Sequence, residues 1–220
     1  MPDAEFWLAR WREGAIGFHQ GHTNQTLERF VDRLGLDERP GAVFLPLCGK
    51  AYDMDWLAAR GHPVIGIDLS ELAAQQFFAE YGHAPKVTPE GPRLTRYAAG
   101  NVTFFVGDVF ALEQSHLADV TAVFDRGALV ALDDAERARY VDHLARVLPS
   151  ACNTLLVVVE YDEQAMHGPP FSVREEEVQA LFEARHEIDL LMRREVLDEE
   201  PKFRDRGLTA MAETAYLLRS

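Results

Sequence analysis

Cysteine is scarce in this chain: Cys48 and Cys152 are the only two, far apart and in no CxxC pair. A dense disulfide framework and a cysteine-built zinc site are therefore excluded, and a reducing compartment fits. No run approaches the roughly 20 apolar residues that cross a bilayer. The opening MPDAEFWLARWRE places acids early and lacks a basic stretch leading into an apolar one, so no secretory leader is expected. The expected location is cytoplasmic. Basic residues are outnumbered, 22 Lys and Arg against 36 Asp and Glu, for a net charge of −14. Such a chain repels a phosphate backbone and an anionic leaflet. Only Arg193-Arg194 and Lys202 to Arg206 run against that field, so neither nucleic acid nor membrane is expected as a partner. No GxGxxG and no GxxxxGK[ST] occurs, which removes the dinucleotide fingerprint and the ATPase phosphate loop. Repeats, low-complexity tracts and heptads are also missing, and a monomer is the expectation.

What is present is an ordinary globular balance: 220 residues, 47% hydrophobic and 26% charged. This is material for one full core and a single domain over 1–220. AVFLPL (42–47), HPVIGID (62–68), VTFFVGD (102–108), VTAVFDRG (120–127) and NTLLVVVEYD (153–162) read as buried strands. Helices are predicted over 52–60, from the Ser70 cap to Tyr81, and from Asp133-Asp134 to Leu148 before Pro149. Strands separated by helices predict an α/β, Rossmann-like doubly wound sheet, mostly parallel, with helices on both faces. HEIDLLMRREVL (186–197) and TAMAETAYLLRS (209–220) predict an antiparallel ribbon at one end. The stretches 82–100 and 163–172 read as loops. The first 35 residues read as an amphipathic helical segment anchored by Phe6, Trp7, Trp11, Phe18, Leu27 and Phe30.

In such a sheet, ligands bind beyond the carboxyl ends of the strands where strand order reverses. The first end, LPLCGK (45–50), carries Gly49, which permits a tight turn close to a ligand. The second ends in Asp68, 19 residues after Gly49. That is near the roughly 20-residue spacing at which an acid reaches ribose hydroxyls; Asp68 also reads as a first-turn helix acid. Asp108 at the third end suits an adenine amino group or an ordinary loop. Asp125 and Arg126 emerge together at the fourth end. An arginine there needs an anion, either a ligand or a carboxylate such as Asp125. Trp7 and Trp11 share a helix face. His19 and His22 are three apart with no third metal ligand at suitable spacing, so no metal is expected. Cys48 reads as a small apolar residue in the first loop. Phe171, in Pro169-Pro170-Phe171, reads as a substrate-pocket residue or part of a rigid turn.

Five stretches together resemble the thiopurine S-methyltransferase family, bacterial type. They are FWLARWREGAIGFHQ (6–20), VFLPLCGKAYDMDWLAARGHPVIGIDLSELAAQQFF (43–78), VFDRGALVAL (123–132), EYDEQAMHGPPFSV (160–173) and AETAYLL (212–218). The resemblance implies a methyltransferase sheet that binds S-adenosyl-L-methionine and releases S-adenosyl-L-homocysteine. It places cofactor contacts on Trp11, Leu47, Gly49, Asp68 and Arg126, with Asp108 and Val109 near the adenine. Many relatives end the second strand in Glu where this chain has Asp68, so a shorter arm must reach the ribose. The family's N-terminal segment folds over the cofactor, and its substrate-side aromatic falls on Phe18. A late basic residue near the substrate falls on Lys202 or Arg204. The implied reaction is methyl transfer to an aromatic or heterocyclic thiol, with selenium or tellurium species as further acceptors and detoxification as a role. Arg126 is expected to stabilise the thiolate, or a water that takes its proton, and Asp125 to orient Arg126. Trp11 and Phe18 are expected to close the cleft. Halide and thiol methyltransferases of related fold, a nicotinamide-dependent oxidoreductase and a non-catalytic nucleoside-binding module are the competing readings.

Overall fold

In the computed structural model, residues 4–220 are described; residues 1–3 of the expected N-terminal segment lie outside them. The elements run α1 (Ala4–Arg12), α2 (Gln25–Phe30), β1 (Ala42–Leu45), α3 (Tyr52–Ala59), β2 (Val64–Asp68), α4 (Glu71–Glu80), β3 (Lys86–Glu90), β4 (Leu94–Ala99), β5 (Val102–Val106), β6 (Val120–Arg126), α5 (Asp134–Val147), β7 (Asn153–Glu160), α6 (Glu175–Phe182), β8 (Glu187–Glu195), α7 (Pro201–Arg204) and β9 (Ala212–Arg219). Local chemistry sets the helix starts. Asn24 Oδ1 accepts from the Thr26 and Leu27 N–H groups, Ser70 Oγ from Ala73, and Asp133 Oδ1 from Glu136.

Among the described residues nine strands form one sheet in the order β3-β4-β5-β2-β1-β6-β7-β9-β8. The centre β5-β2-β1-β6-β7 is parallel, as the strand–helix alternation predicts. The C-terminal ribbon β8–β9 is present and joins antiparallel to β7. The opposite edge corrects the expectation. Residues 82–100 are not a loop: β3 and β4 form a hairpin, antiparallel to β5. Parallel and antiparallel pairings therefore number four each. The Gly and Pro content that suggested a loop marks the hairpin turn at Gly91 and the edge position of Pro89, where a missing N–H is tolerated. The N-terminal segment is likewise not one helix. α1 stops at Arg12, and an irregular stretch holding Gly14, Gly17 and Gly21 leads to α2.

Helices cover both faces. Phe44, Val123, Leu156 and Leu218 pack on one side with Tyr140 and Leu144 of α5 and Phe182 of α6. Val43, Phe104, Phe124 and Leu217 pack on the other with Trp11, Leu27, Met54, Leu57 and Phe77 of α1–α4. Strand order reverses between β1 and β6, and the carboxyl ends of β1, β2, β5 and β6 meet there.

Candidate active site

The loop after β1 bends sharply. Gly49 has φ +54°, and a Cβ on it would lie 3.2 Å from Trp11 Cζ2. Leu47 also takes a left-handed φ of +42°, a strained value for a side chain with a Cβ. The loop is tied to β2 by Cys48 N–H to Ile67 O and by Gly49 N–H to Asp68 Oδ2, both at 2.9 Å. Asp68 Oδ1 accepts from Ser70 N–H at 2.9 Å. Each oxygen keeps a lone pair, so the carboxylate is fixed while still able to accept from a diol.

Around it lies a cavity of about 250 Å³, lined by Trp7, Trp11, Leu47, Gly49, Asp53, Asp68, Asp108, Val109 and Arg126 among others. A second, of about 560 Å³, opens beside it. Phe18, His19 and Arg126 line both. The stretch after α1 forms the wall between them. Phe18 meets Trp7 and Trp11 edge to face at 5.7 and 5.8 Å, and the Phe18 carbonyl accepts from Arg126 Nη1 at 3.2 Å. Lys202 Nζ donates to Gly17 O at 2.7 Å and lines the second cavity.

Three expected residues stand elsewhere. Asp125 does not hold Arg126. Side chains alternate along β6, so Asp125 faces α5, accepting from Tyr140 Oη at 2.7 Å and Leu129 N–H at 3.2 Å, while Arg126 faces the cavities. Phe171 lines neither cavity; its N–H bonds Val130 O at 2.6 Å and its ring lies 5.9 Å from the buried Arg137 guanidinium. Arg204 is exposed and pairs with Asp198. Asp53, Arg194, Arg206 and Glu213 line the cavities without having been singled out. Asp53 sits beside PLCGK and was legible there. The others reach the site only through the ribbon and α7.

Burial sets the charge states. It pushes the Asp68 carboxyl up to about 6, against the N–H groups of Ser70, Gly49 and Leu69 that favour the anion. Cys48 is raised well above the ordinary thiol value, by burial and then by Asp68, so it is no nucleophile. His19 is lowered, by burial first and then by Lys50, which leaves a neutral imidazole. Among the described residues, no three His, Cys, Asp or Glu side chains group to hold a metal, and no helix is long and apolar enough to cross a membrane.

Solved structures share this architecture at low identity. A Burkholderia thailandensis 1,6-didemethyltoxoflavin-N1-methyltransferase with bound 1,6-didemethyltoxoflavin and S-adenosylhomocysteine superposes with TM-score 0.62 and 16% identity, over 99% of this chain and 87% of that one. A SAM-dependent methyltransferase from Anabaena variabilis gives 0.60 and 12%, over 98% and 94%. The fold is the one these S-adenosylmethionine-dependent methyltransferases share, with a glycine loop facing an acid at the end of β2. The thiopurine S-methyltransferase family model matches residues 2–220. A Bordetella petrii thiopurine S-methyltransferase is 47% identical over 98% of both chains, and one from Nitrosomonas eutropha is 44% identical over 97% of this chain and 96% of that one. The chain belongs to the thiopurine S-methyltransferase family.

Proposed function

We propose that this chain transfers the methyl group of S-adenosylmethionine to the sulfur of an aromatic or heterocyclic thiol, with selenium or tellurium species as further acceptors. The observation that carries this reading is the pair of adjoining cavities, one lined by Asp68 and the other by apolar side chains with a mixed set of arginine, lysine and glutamate, with Arg126 at their junction. The residues present fit the cofactor. Asp68 retains acceptor capacity for the ribose hydroxyls, Gly49 lets the backbone come close, and Asp108 and Val109 flank the space beyond β5 for the adenine. Leu47 and Trp11 line the same cavity. When bound, the cofactor supplies a methyl group already activated on a sulfonium.

The protein's part is alignment and exclusion of water. Arg126 spends one N–H on Phe18 O, and its other donors face the junction, where a guanidinium stabilises a thiolate. Neutral His19 borders both cavities and accepts the thiol proton. Trp7, Trp11 and Phe18 screen the junction from solvent. Lys202, on the second cavity, is the basic residue nearer the acceptor; Arg204 is turned away. The test is transfer of a labelled methyl from S-adenosylmethionine across thiopurines, thiophenols, halides and selenite. Methylated thiols are expected. Labelling of halide alone would select the halide reading, and labelling of nothing would leave a nucleoside-binding module.

Asp68 makes cofactor binding pH-dependent. Its carboxyl titrates at about 6. The anion is the ribose acceptor, so affinity is lost as pH falls through that value. S-Adenosylhomocysteine is expected to bind about tenfold more weakly at pH 5 than at pH 7, by proton linkage. Asp68→Asn, measured by calorimetry, removes most of that slope. A wild-type profile without slope contradicts the role.

A further inference from the structure

Asp53 is a buried carboxylate with no side-chain cation in direct contact among the described residues. It lies in the first turn of α3, 6% exposed, and lines the cavity that holds Asp68. Its Oδ1 accepts the Asn24 backbone N–H at 2.7 Å, and among the described residues it forms no ion pair. Burial raises its pKa, opposed by the Asn24 N–H and only at longer range by the charges of Arg126 and His22, so the carboxylate lacks a contacting cation. The other acids of this cavity stand differently. Asp68 holds the loop after β1 and faces the ribose position, Asp108 is exposed and caps Phe110, and Glu136 is half-buried. Asp53 alone is both deeply buried and uncommitted to the ribose.

The cofactor carries a cation that can make that contact. Its amino-acid end bears an α-ammonium group, and the strand order decides where that end lies. With the ribose at the end of β2 and the adenine beyond it toward β5, the amino-acid end falls on the opposite side, over β1 and the start of α3. We infer that Asp53 receives the α-ammonium group of the cofactor and so selects for ligands that carry the amino-acid end. This rests on the cofactor reading above. Because Oδ1 also holds Asn24, the residue that caps α2, occupancy of this site is joined to the anchor of the covering segment.

Calorimetry with three ligands separates the contributions: S-adenosylhomocysteine, its analogue with hydrogen in place of the ammonium, and 5′-methylthioadenosine, which lacks the amino-acid end. Asp53→Asn keeps an oxygen for the Asn24 N–H. It is expected to weaken S-adenosylhomocysteine about 20-fold, the scale of a charge-assisted hydrogen bond, and to move the other two by less than about twofold. In the wild-type protein alone, removing the ligand's ammonium costs the same factor, which keeps the test open if the variant folds poorly. Equal weakening of all three ligands, or no penalty for the missing ammonium, overturns the assignment. Wild-type protein that binds none of them overturns the cofactor reading and this assignment with it.

Discussion

Replacing Arg126 by alanine is expected to lower kcat with a thiol acceptor about 10²- to 10³-fold, the usual effect of removing one preorganised charge at a reacting centre. S-Adenosylhomocysteine affinity is expected to fall much less than kcat, because Asp68, Gly49 and Leu47 line the cofactor cavity along with it. That split distinguishes stabilisation of the thiolate from general damage. Arg126 also holds the Phe18 carbonyl, so part of any loss could come from a loosened wall between the cavities. Arg126→Lys separates the two contributions. It keeps a point charge but loses the planar fork that spans Phe18 O and an anion at once. Partial recovery of kcat with a raised KM assigns the charge to chemistry and the fork to the wall. Acceptors whose thiol is already ionised at the assay pH should suffer less in Arg126→Ala, since they need less help forming the anion. Unchanged kinetics would remove Arg126 from the mechanism.

How much of this site could be read from sequence follows from which interactions are local. Asp68 was legible because one short segment carries both the buried strand and the acid that ends it, and Gly49 because the turn sits between strand and helix. Arg126 was legible because a charge ending a buried strand needs a reason. Its partner was misjudged: adjacency in sequence suggested Asp125, whereas the pleat sends consecutive side chains to opposite faces, and Asp125 met Tyr140 from α5. For Phe171 the sequence left pocket and rigid turn both open, since only the packing of α5 brings the Arg137 guanidinium to 5.9 Å from its ring. The second cavity was largely hidden. Arg194, Glu199 and Glu213 assemble through β8, β9 and the chain leading to α7. Arg194 bonds both acids, at 2.6 Å to Glu199 and 3.1 Å to Glu213, and no local pattern encodes that meeting. The β3–β4 hairpin was missed because edge strands tolerate the proline and polar residues that otherwise signal a loop.

The largest stability loss is expected at Arg137, a residue of α5 that touches neither cavity. Its side chain is fully buried, and each of its three guanidinium nitrogens donates to an element that frames the acceptor side. Nε donates to Leu129 O at 3.3 Å, just beyond Arg126 on the chain. Nη2 donates to Ser172 O at 3.1 Å, at the end of the 163–172 loop. Nη1 reaches both Glu177 oxygens on α6, at 2.7 and 2.8 Å. Alanine there strands two buried carbonyls and one partly buried carboxylate, and leaves a cavity. Breaking a buried pair from one side costs about 3–5 kcal/mol. For a chain of this length the midpoint of thermal unfolding should then fall by about 10 °C. Glu177→Gln should cost far less, because that carboxylate is 30% exposed and the amide oxygen can still accept. Calorimetric unfolding of the two variants checks the order; equal losses would show that the ion pair, and not the carbonyl contacts, dominates. The effect should also reach the acceptor. Pro169 and Pro170 line the second cavity, and Pro170 O accepts from Tyr161 Oη at 2.5 Å, two residues before the Ser172 carbonyl that Arg137 holds. With that carbonyl released, KM for the thiol rises while S-adenosylhomocysteine affinity, set on the far side of Arg126, stays within about twofold, as expected for sites with no shared partners.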